Sequence, residues 1–130
     1  MERRIKITIV KSSSPSSSNL NEELQWFSRS LGLFDSKRDK EKSCFRIFVQ
    51  LLKSKKPLSS DEIALSSNLS RGTVIHHIHN LTERGIVKEE RKRYELMDRN
   101  LQSIVKRMEE QIDSTLSDLK KIAKKIDEEI

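Results

Sequence analysis

The chain has 130 residues, of which 34% are hydrophobic and 35% are charged, so its core must be small, and dimerisation is an ordinary supplement. Lys and Arg outnumber Asp and Glu by 26 to 20; residues 1–97 hold 19 basic and 12 acidic side chains, whereas residues 98–130 hold 7 and 8. Cys44 is the only cysteine, which excludes an intrachain disulfide, and no apolar run approaches the roughly 18 residues of a bilayer span, so we expect a soluble cytoplasmic protein without a membrane partner.

The N-terminal segment, residues 1–36, contains a predicted strand, a linker and a short helix. Arg4 to Val10 alternates isoleucine with polar residues, which is the period of a half-buried strand. We hypothesise that Ile5–Ile9 joins the sheet of this chain or of a partner subunit. The polar run KSSSPSSSN is typical of a linker, and the helical spacing of Leu20, Leu24, Phe27 and Leu31 predicts a helix that ends at Gly32.

Residues 37–97 carry the pattern of a winged helix-turn-helix. A helix is predicted over about 37–54, with Cys44 as a buried small hydrophobe on its apolar stripe. Ser59 and Glu62 have the spacing of a capping box, which predicts a helix over 60–67. Ser70 is a second N-cap candidate, and the next helix runs to about Arg84 with Gly85 as its stop. Two short strands, Ile86–Glu89 and Arg93–Leu96, joined by Glu90-Arg91-Lys92, complete a basic wing.

Residues 98–130 contain neither Gly nor Pro and predict one long helix. Roughly 33 residues at about 1.5 Å each give a rod near 50 Å, too long for a small domain to cover its apolar stripe. We expect a two-fold coiled coil, with folding back onto the same chain as the alternative. The predicted dimerisation residues are Leu101, Val105, Met108, Ile112, Leu116, Leu119, Ile122 and Ile126. Among them, Val105, Ile112, Leu119 and Ile126 recur at intervals of seven residues. Thr115 and Glu129 are polar residues at companion positions of this repeat.

All three histidines lie in the second helix of the helix-turn-helix, and a helical wheel separates them. Val74, Ile78 and Leu81 form the buried stripe, with His77 beside it as a half-buried structural residue. The outward side fits the major groove of double-stranded DNA. Arg71 suits guanine edges, Asn80 adenine, and Ile75 a thymine methyl, while a glycine at position 72 permits close backbone approach.

The predicted DNA-binding residues combine this helix with the basic tip of the wing. The hydroxyls of Ser70 and Thr73 at the helix N-terminus suit a phosphate, and the wing suits the DNA backbone. Protonation of His76 or His79 would favour phosphate and predicts a pH effect on affinity between about 5.5 and 7. The full set is Ser70, Arg71, Gly72, Thr73, Ile75, His76, His79, Asn80, Arg91, Lys92 and Arg93.

Residues 43–96 resemble the winged helix-turn-helix of the ArsR-like transcription regulators, especially their archaeal branch. The resemblance is carried by LSSDEIALSSNLSRGTVIHHIHNLTERGIVKEE and is closest over SRGTVIHHI. It implies a dimer with helix 70–84 in the major groove, base and phosphate contacts from Arg71, Gly72, Thr73, Ile75 and His76, and backbone contacts from Arg91–Arg93. The paired cysteines that metal-sensing members carry on the first helix of the motif are not found at 60–67, so the resemblance does not imply metal sensing.

The leading hypothesis is a mainly α protein, a dimeric transcription regulator that binds a pseudo-palindromic duplex with half-sites about one helical turn apart. A winged helix used for protein contact, with the coiled coil pairing to a different chain, is the second. A zinc site of His76, His79 and Glu83 is the third. We find no pairing of nucleophile and base, and we assign neither enzymatic activity nor a cofactor; any small-molecule effector is undefined by the sequence.

Overall fold

The computed structural model describes residues 4–16, 19–33 and 42–130. These residues divide into two compact units, Met1–Met97 and Asp98–Ile130. The fold is mainly helical, with a small three-stranded antiparallel sheet around the helix-turn-helix and a long C-terminal helix, which is the predicted winged helix-turn-helix architecture. Within the described ranges, no helix has both the length and the apolar character needed to span a membrane.

Residues 4–10 do not form the predicted strand. They have no regular secondary structure and run beside helix α1 (Leu20–Ser30), where the Val10 N–H donates to the Ser30 carbonyl at 2.8 Å. Gly32, which ends the helix with a φ of +70°, leaves no space for a side chain, since an added Cβ would lie 2.7 Å from the Thr8 methyl. The segment therefore adds no strand to the sheet of its own chain, because its backbone is held at the end of α1 instead.

Three helices build the core of the first unit: α2 (Ser43–Lys53), α3 (Ser60–Ser67) and α4 (Arg71–Glu83). Each pair of them packs together. Side chains that are 0% exposed come from all three helices, and they include Ile47, Phe48, Ile63, Val74 and Leu81. Cys44 is buried, as predicted. The predicted start of the second helix, residues 37–41, lies outside the described part of the chain.

The sheet contains β1 (Leu58–Ser59), β2 (Val87–Glu90) and β3 (Arg93–Leu96) in the order β1-β3-β2. We call residues 87–96 the wing. Glu90 pairs with Arg93, so the turn contains two residues, Arg91 and Lys92, and not the predicted three. Both have positive φ, 54° and 61°, as the hairpin turn of type I′ requires. The first strand of the wing, predicted at Ile86–Glu89, is consequently shifted by one residue to Val87–Glu90.

The second unit is the helix α5 (Leu101–Glu129), and its length confirms the predicted long helix. Asn100 caps its start, where its side-chain oxygen accepts the Ser103 N–H at 2.8 Å. Arg107 donates to Asp98 at 2.7 Å and ties the first turns to the residues that precede them. Beyond Ile112 every residue of the helix is exposed, which leaves its apolar stripe open along the outer part.

Candidate nucleic-acid interface

Local capping fixes the geometry of the helix-turn-helix. The Ser59 hydroxyl accepts the Glu62 N–H at 3.1 Å, and the Glu62 carboxylate accepts the Ser59 N–H at 3.0 Å, which is the predicted capping box. Asn68, with a φ of 55°, ends α3, and Ser70 begins α4 by accepting the Thr73 N–H at 3.1 Å. The turn between the helices therefore consists of the three residues 68–70.

A guanidinium from helix α2 braces this turn from outside the motif. Arg46 donates to the carbonyls of Ser67 and Asn68, where α3 ends. Those carbonyls have no partner within the helix, so the charge-assisted hydrogen bonds satisfy them and fix the start of the turn. Arg46 is not among the sequence-predicted site residues, because nothing in the spacing of positions 46 and 67 indicates that the two meet.

The outward side of helix α4 forms a surface that we call the recognition face: Arg71, Gly72, Ile75, His76 and His79, all exposed. Val74, Ile78 and Leu81 are buried on the opposite side, as the helical wheel predicted. His77 is half-buried, also as predicted, and the rings of His76 and His77 meet edge to face at 5.2 Å. Asn80 and Thr73 are half-buried at the margins of the recognition face.

The recognition face combines donors, an apolar group and open backbone. Apart from the adjoining residues and the backbone of α4 itself, no atom of the described residues lies within 4 Å of a Cβ placed on Gly72, so the backbone there is open to an approaching ligand. Ile75 is 47% exposed beside it and offers an aliphatic group on the same surface. An open helix surface of this kind fits the major groove, which admits an α-helix.

Two carboxylates hold side chains of the recognition face. Arg71 lies 3.5 Å from Asp61 of helix α3, and His79 lies 3.1 Å from Glu83, one turn further along α4. Both pairs are largely exposed, so water screens the attraction and the Arg71 and His79 side chains remain able to change partner. Asp61 is not among the sequence-predicted site residues, because an acidic residue in the first turn of a helix indicates where the helix starts and not a contact with another helix.

The basic side chains of the wing have different environments at its tip and at its base. Arg91 and Lys92 are exposed in the turn, whereas Arg93 donates to the Glu62 carboxylate at 2.8 Å. The Ser59 backbone N–H and side chain, followed by the Arg93 guanidinium, lower the pKa of Glu62 below its ordinary value of 4.5. Of the three basic wing residues, Arg91 and Lys92 are therefore placed for an outside anion, and Arg93 links the wing to α3.

The zinc alternative gains no support from the geometry. In the part of the chain that the structure describes, no three His, Cys, Asp or Glu side chains come close enough to share a metal ion. His79 contacts Glu83, but His76 turns towards His77. His76 and His79, the two histidines of the hypothesised zinc site, therefore contact different partners.

The comparisons with known proteins agree with this geometry. A family model described as "HTH domain" matches residues 45–95, which extend from helix α2 through strand β3. The match supports a helix-turn-helix DNA-binding regulator. No curated protein and no solved structure matches the chain.

Proposed function

We propose that this chain is a dimeric, sequence-specific transcription regulator of the ArsR-like kind that binds double-stranded DNA. Helix α4 enters the major groove with its recognition face towards the bases. The wing lies along the neighbouring phosphates, and two subunits bind half-sites separated by whole helical turns. The observation that carries this proposal is the open backbone at Gly72 on a capped, outward-facing helix within a matched HTH domain.

The side chains of the recognition face have separate roles in this proposal. Arg71 leaves Asp61 and donates to the O6 and N7 atoms of a guanine, while Ile75 packs against a thymine methyl group. His76 and His79 donate to base edges or phosphates. Asn80, at the margin, takes adenine where the helix lies deep enough in the groove.

Phosphate contacts come from the helix N-terminus and from the wing. The first turn of α4 contains no acidic residue, so its free N–H groups and positive dipole end suit a phosphate. Ser70 and Thr73 line this end, with their hydroxyls 2.8 Å apart. Arg91 and Lys92 add backbone contacts at the wing tip, and Arg93 supports them from the base.

The dimer is attributed to helix α5. Val105, Leu116, Leu119, Ile122 and Ile126 are each 45% or more exposed, which is typical of a helix that pairs with another. Of the remaining predicted dimerisation residues, Leu101 and Ile112 are half-buried and Met108 is buried. The outer part of the helix therefore offers the larger apolar surface to a partner.

The test is selection of bound duplexes from a random pool, followed by footprinting on the selected sequence. We expect a two-fold symmetric site that is bound at least about 10³ times more tightly than random duplex at the same salt concentration. Arg71→Ala should lower that ratio, whereas Lys124→Ala, which removes the same charge from α5, should preserve it. Equal affinity for selected and random duplex would contradict the proposal.

A further inference from the structure

The outer part of helix α5 carries an apolar stripe that is exposed among the described residues. Leu116, Leu119 and Ile126 are 45%, 58% and 48% exposed. Nearer the start of the helix, Ile104 and Met108 are buried instead. The outer part of the stripe, residues 112–130, therefore offers the larger apolar surface to a partner.

The spacing of this stripe shows which residues would face the partner. Apolar residues follow one another at alternating intervals of four and three to the end of the chain: Ile112, Leu116, Leu119, Ala123, Ile126 and Ile130. We call these six residues the seam; their spacing is that of a coiled-coil core without a polar interruption. The seven-residue repeat through Val105 instead places Thr115 and Glu129 in the core. Relative to the seam these two lie at the flank, where polar side chains are ordinary.

We propose that a second copy of this chain covers the seam and that the two helices run antiparallel over residues 112–130. In this register Ile112 lies opposite the partner's Ile130, Leu116 opposite the partner's Ile126, and Leu119 opposite the partner's Ala123. Every layer of the shared core is then apolar. The inference rests on the dimer of the proposed function and adds its orientation and register.

Charged residues beside the seam select this register. Asp113, Lys120 and Asp127 occupy one flank at intervals of seven. In the proposed register Lys120 lies beside the partner's Asp127, and the two-fold axis repeats the pair. A shift of one heptad in one direction brings Asp127 against the partner's Asp127, and a shift in the other brings Lys120 against the partner's Lys120. Like charges at these flanks disfavour both shifts.

In a parallel pair of helices, the flanking residues would make less favourable contacts. Their flanking contacts join each residue to the one five positions later in the partner, which puts Ile122 beside the partner's Asp127 and Thr115 beside the partner's Lys120. Neither contact is an ion pair, and the first sets a carboxylate against an aliphatic side chain. The antiparallel arrangement instead brings Ile122 to the partner's Ile122 at its centre.

The position of Lys120 within its own helix agrees with a partner across the seam. The positions three and four residues away, where intrahelical ion pairs form, hold Leu116, Ser117, Ala123 and Lys124. No acidic residue of the same helix is therefore within its ordinary reach. Lys121, by contrast, has Asp118 three positions before it.

Distances between spin labels in the full-length protein test the orientation. Labels are attached at Lys106→Cys or Asp118→Cys, each in a Cys44→Ala background. In the antiparallel dimer, labels at 106 lie about 45 Å apart along the helix axis and labels at 118 about 9 Å. Parallel helices would hold both pairs about 10 Å apart, the distance between the axes.

Charge reversal tests the register. Lys120→Glu places four like charges in two flanking pairs and should raise the dissociation constant of the dimer about tenfold. Adding Asp127→Lys to it should restore the original constant. Lys121→Glu, which changes the same charge on the outward side, should leave the constant nearly unchanged.

The outcomes separate this proposal from the DNA-binding function. A short distance at both labels overturns the antiparallel orientation, and the absence of any distance between subunits at concentrations that saturate the selected duplex overturns the homodimer. Failure of Asp127→Lys to rescue Lys120→Glu overturns the register. A distance of about 45 Å at position 106 in a protein that does not distinguish duplexes would support the seam and contradict only the DNA-binding function.

Discussion

The Glu62 carboxylate joins the start of helix α3 to the base of the wing. It accepts the Ser59 N–H at 3.0 Å, and the Arg93 guanidinium donates to the same carboxylate oxygen at 2.8 Å. These donors lower the pKa of Glu62 below 4.5. One side chain thus supports two elements of the interface, the helix before the recognition helix and the hairpin beside it.

The first prediction concerns acid stability. Because the pKa of Glu62 is lower in the folded state, its contribution to stability is present above 4.5 and is lost as pH falls through the folded-state value. In urea unfolding between about pH 3 and about pH 7, we expect Glu62→Gln to be less stable than the wild type at the upper end and to approach it at the lower end. Glu89→Gln, an exposed change on strand β2, serves as the control. A constant difference between Glu62→Gln and the wild type at every pH would contradict the assignment.

Gly72 provides the second prediction, because its two expected effects have opposite directions. Beyond the adjoining residues and the backbone of α4, a Cβ at this position meets no described atom within 4 Å, and alanine favours a helix over glycine by up to about 1 kcal/mol. Gly72→Ala should therefore raise the free energy of unfolding while lowering affinity for the selected duplex, since the added methyl group would meet the DNA. Thr82→Ala, an exposed change on the same helix that removes the hydroxyl's hydrogen bond to the Ile78 carbonyl, should leave affinity unchanged. Unchanged duplex affinity in Gly72→Ala would show that the backbone does not approach DNA there.

At the scale of whole elements, the wing turn combines strain with charge. Arg91 and Lys92 adopt positive φ without glycine, and a left-handed conformation costs other residues roughly 1–2 kcal/mol each. Turns of this type strongly prefer Asn-Gly. Two basic side chains stand where the fold alone would favour uncharged residues, which is consistent with a functional use of the tip.

The third prediction separates strain from charge in this turn. Arg91→Asn with Lys92→Gly should raise the free energy of unfolding by about 1–2 kcal/mol and weaken duplex binding. Arg91→Gln with Lys92→Gln removes the same charges, keeps the strained turn and should weaken binding without the gain in stability. In both variants the plot of log affinity against log salt should become less steep by roughly 2, near 0.9 for each lost phosphate contact. An unchanged slope would place the tip away from the phosphates.

How well the sequence predicts an element depends on how far apart in the chain the interacting residues lie. The capping box of Ser59 and Glu62 predicts α3 because its partners lie three residues apart and need nothing else. Strand β1 at Leu58–Ser59 was not predicted, because a strand of two residues has no period and depends on pairing with Tyr94 and Arg93. The two-residue wing turn was missed for a related reason: without glycine, the sequence gives no sign of positive φ.

The predicted strand at residues 4–10 failed for a different physical reason. Alternating isoleucines indicate an extended segment with two faces, but they do not indicate which backbone groups will satisfy its hydrogen bonds. In the fold, the Val10 N–H donates to the Ser30 carbonyl at the end of α1. For the candidate interface, the helical wheel placed the buried stripe of α4 correctly and put Gly72, His76 and His79 on the open side, whereas Asn80, also predicted to point outward, is half-buried. Arg46 and Asp61 depend on contacts between helices that no single-sequence pattern reveals.

The connection of the N-terminal segment to the rest of its unit gives the fourth prediction. Val10 bonds to Ser30, Thr8 lies against Gly32, and Arg84 at the end of α4 donates to the Gly32 carbonyl at 2.5 Å. Deletion of residues 1–11 should therefore lower the free energy of unfolding by about 1–2 kcal/mol, through the lost hydrogen bond and packing. Deletion of residues 1–3 is the control, because it leaves these contacts intact. Equal urea midpoints for the two deletions would mean that the segment adds nothing to stability.

At the scale of the whole molecule, the proposed dimer should determine how strongly DNA is bound. When two DNA-binding units are joined through α5, binding of the first unit raises the effective concentration of the second at its half-site. The affinity for a two-site operator is then commonly 10² to 10⁴ times that for a single site. Leu119→Glu with Ile126→Glu places charges in the seam, and both positions are exposed in the single chain, so its folding should be preserved.

This fifth prediction is that the seam variant sediments as a monomer and loses roughly 10² or more in affinity for the two-site duplex. Its affinity for a duplex with one half-site should equal that of the wild type, because the recognition face and the wing are unaltered. Ser114→Glu with Ser117→Glu adds the same charges on the outward side of α5 and serves as the matched control. If the seam variant were monomeric yet bound the two-site duplex as tightly as the wild type, subunit pairing would have no part in DNA recognition, and the exposed stripe of α5 would require a different role.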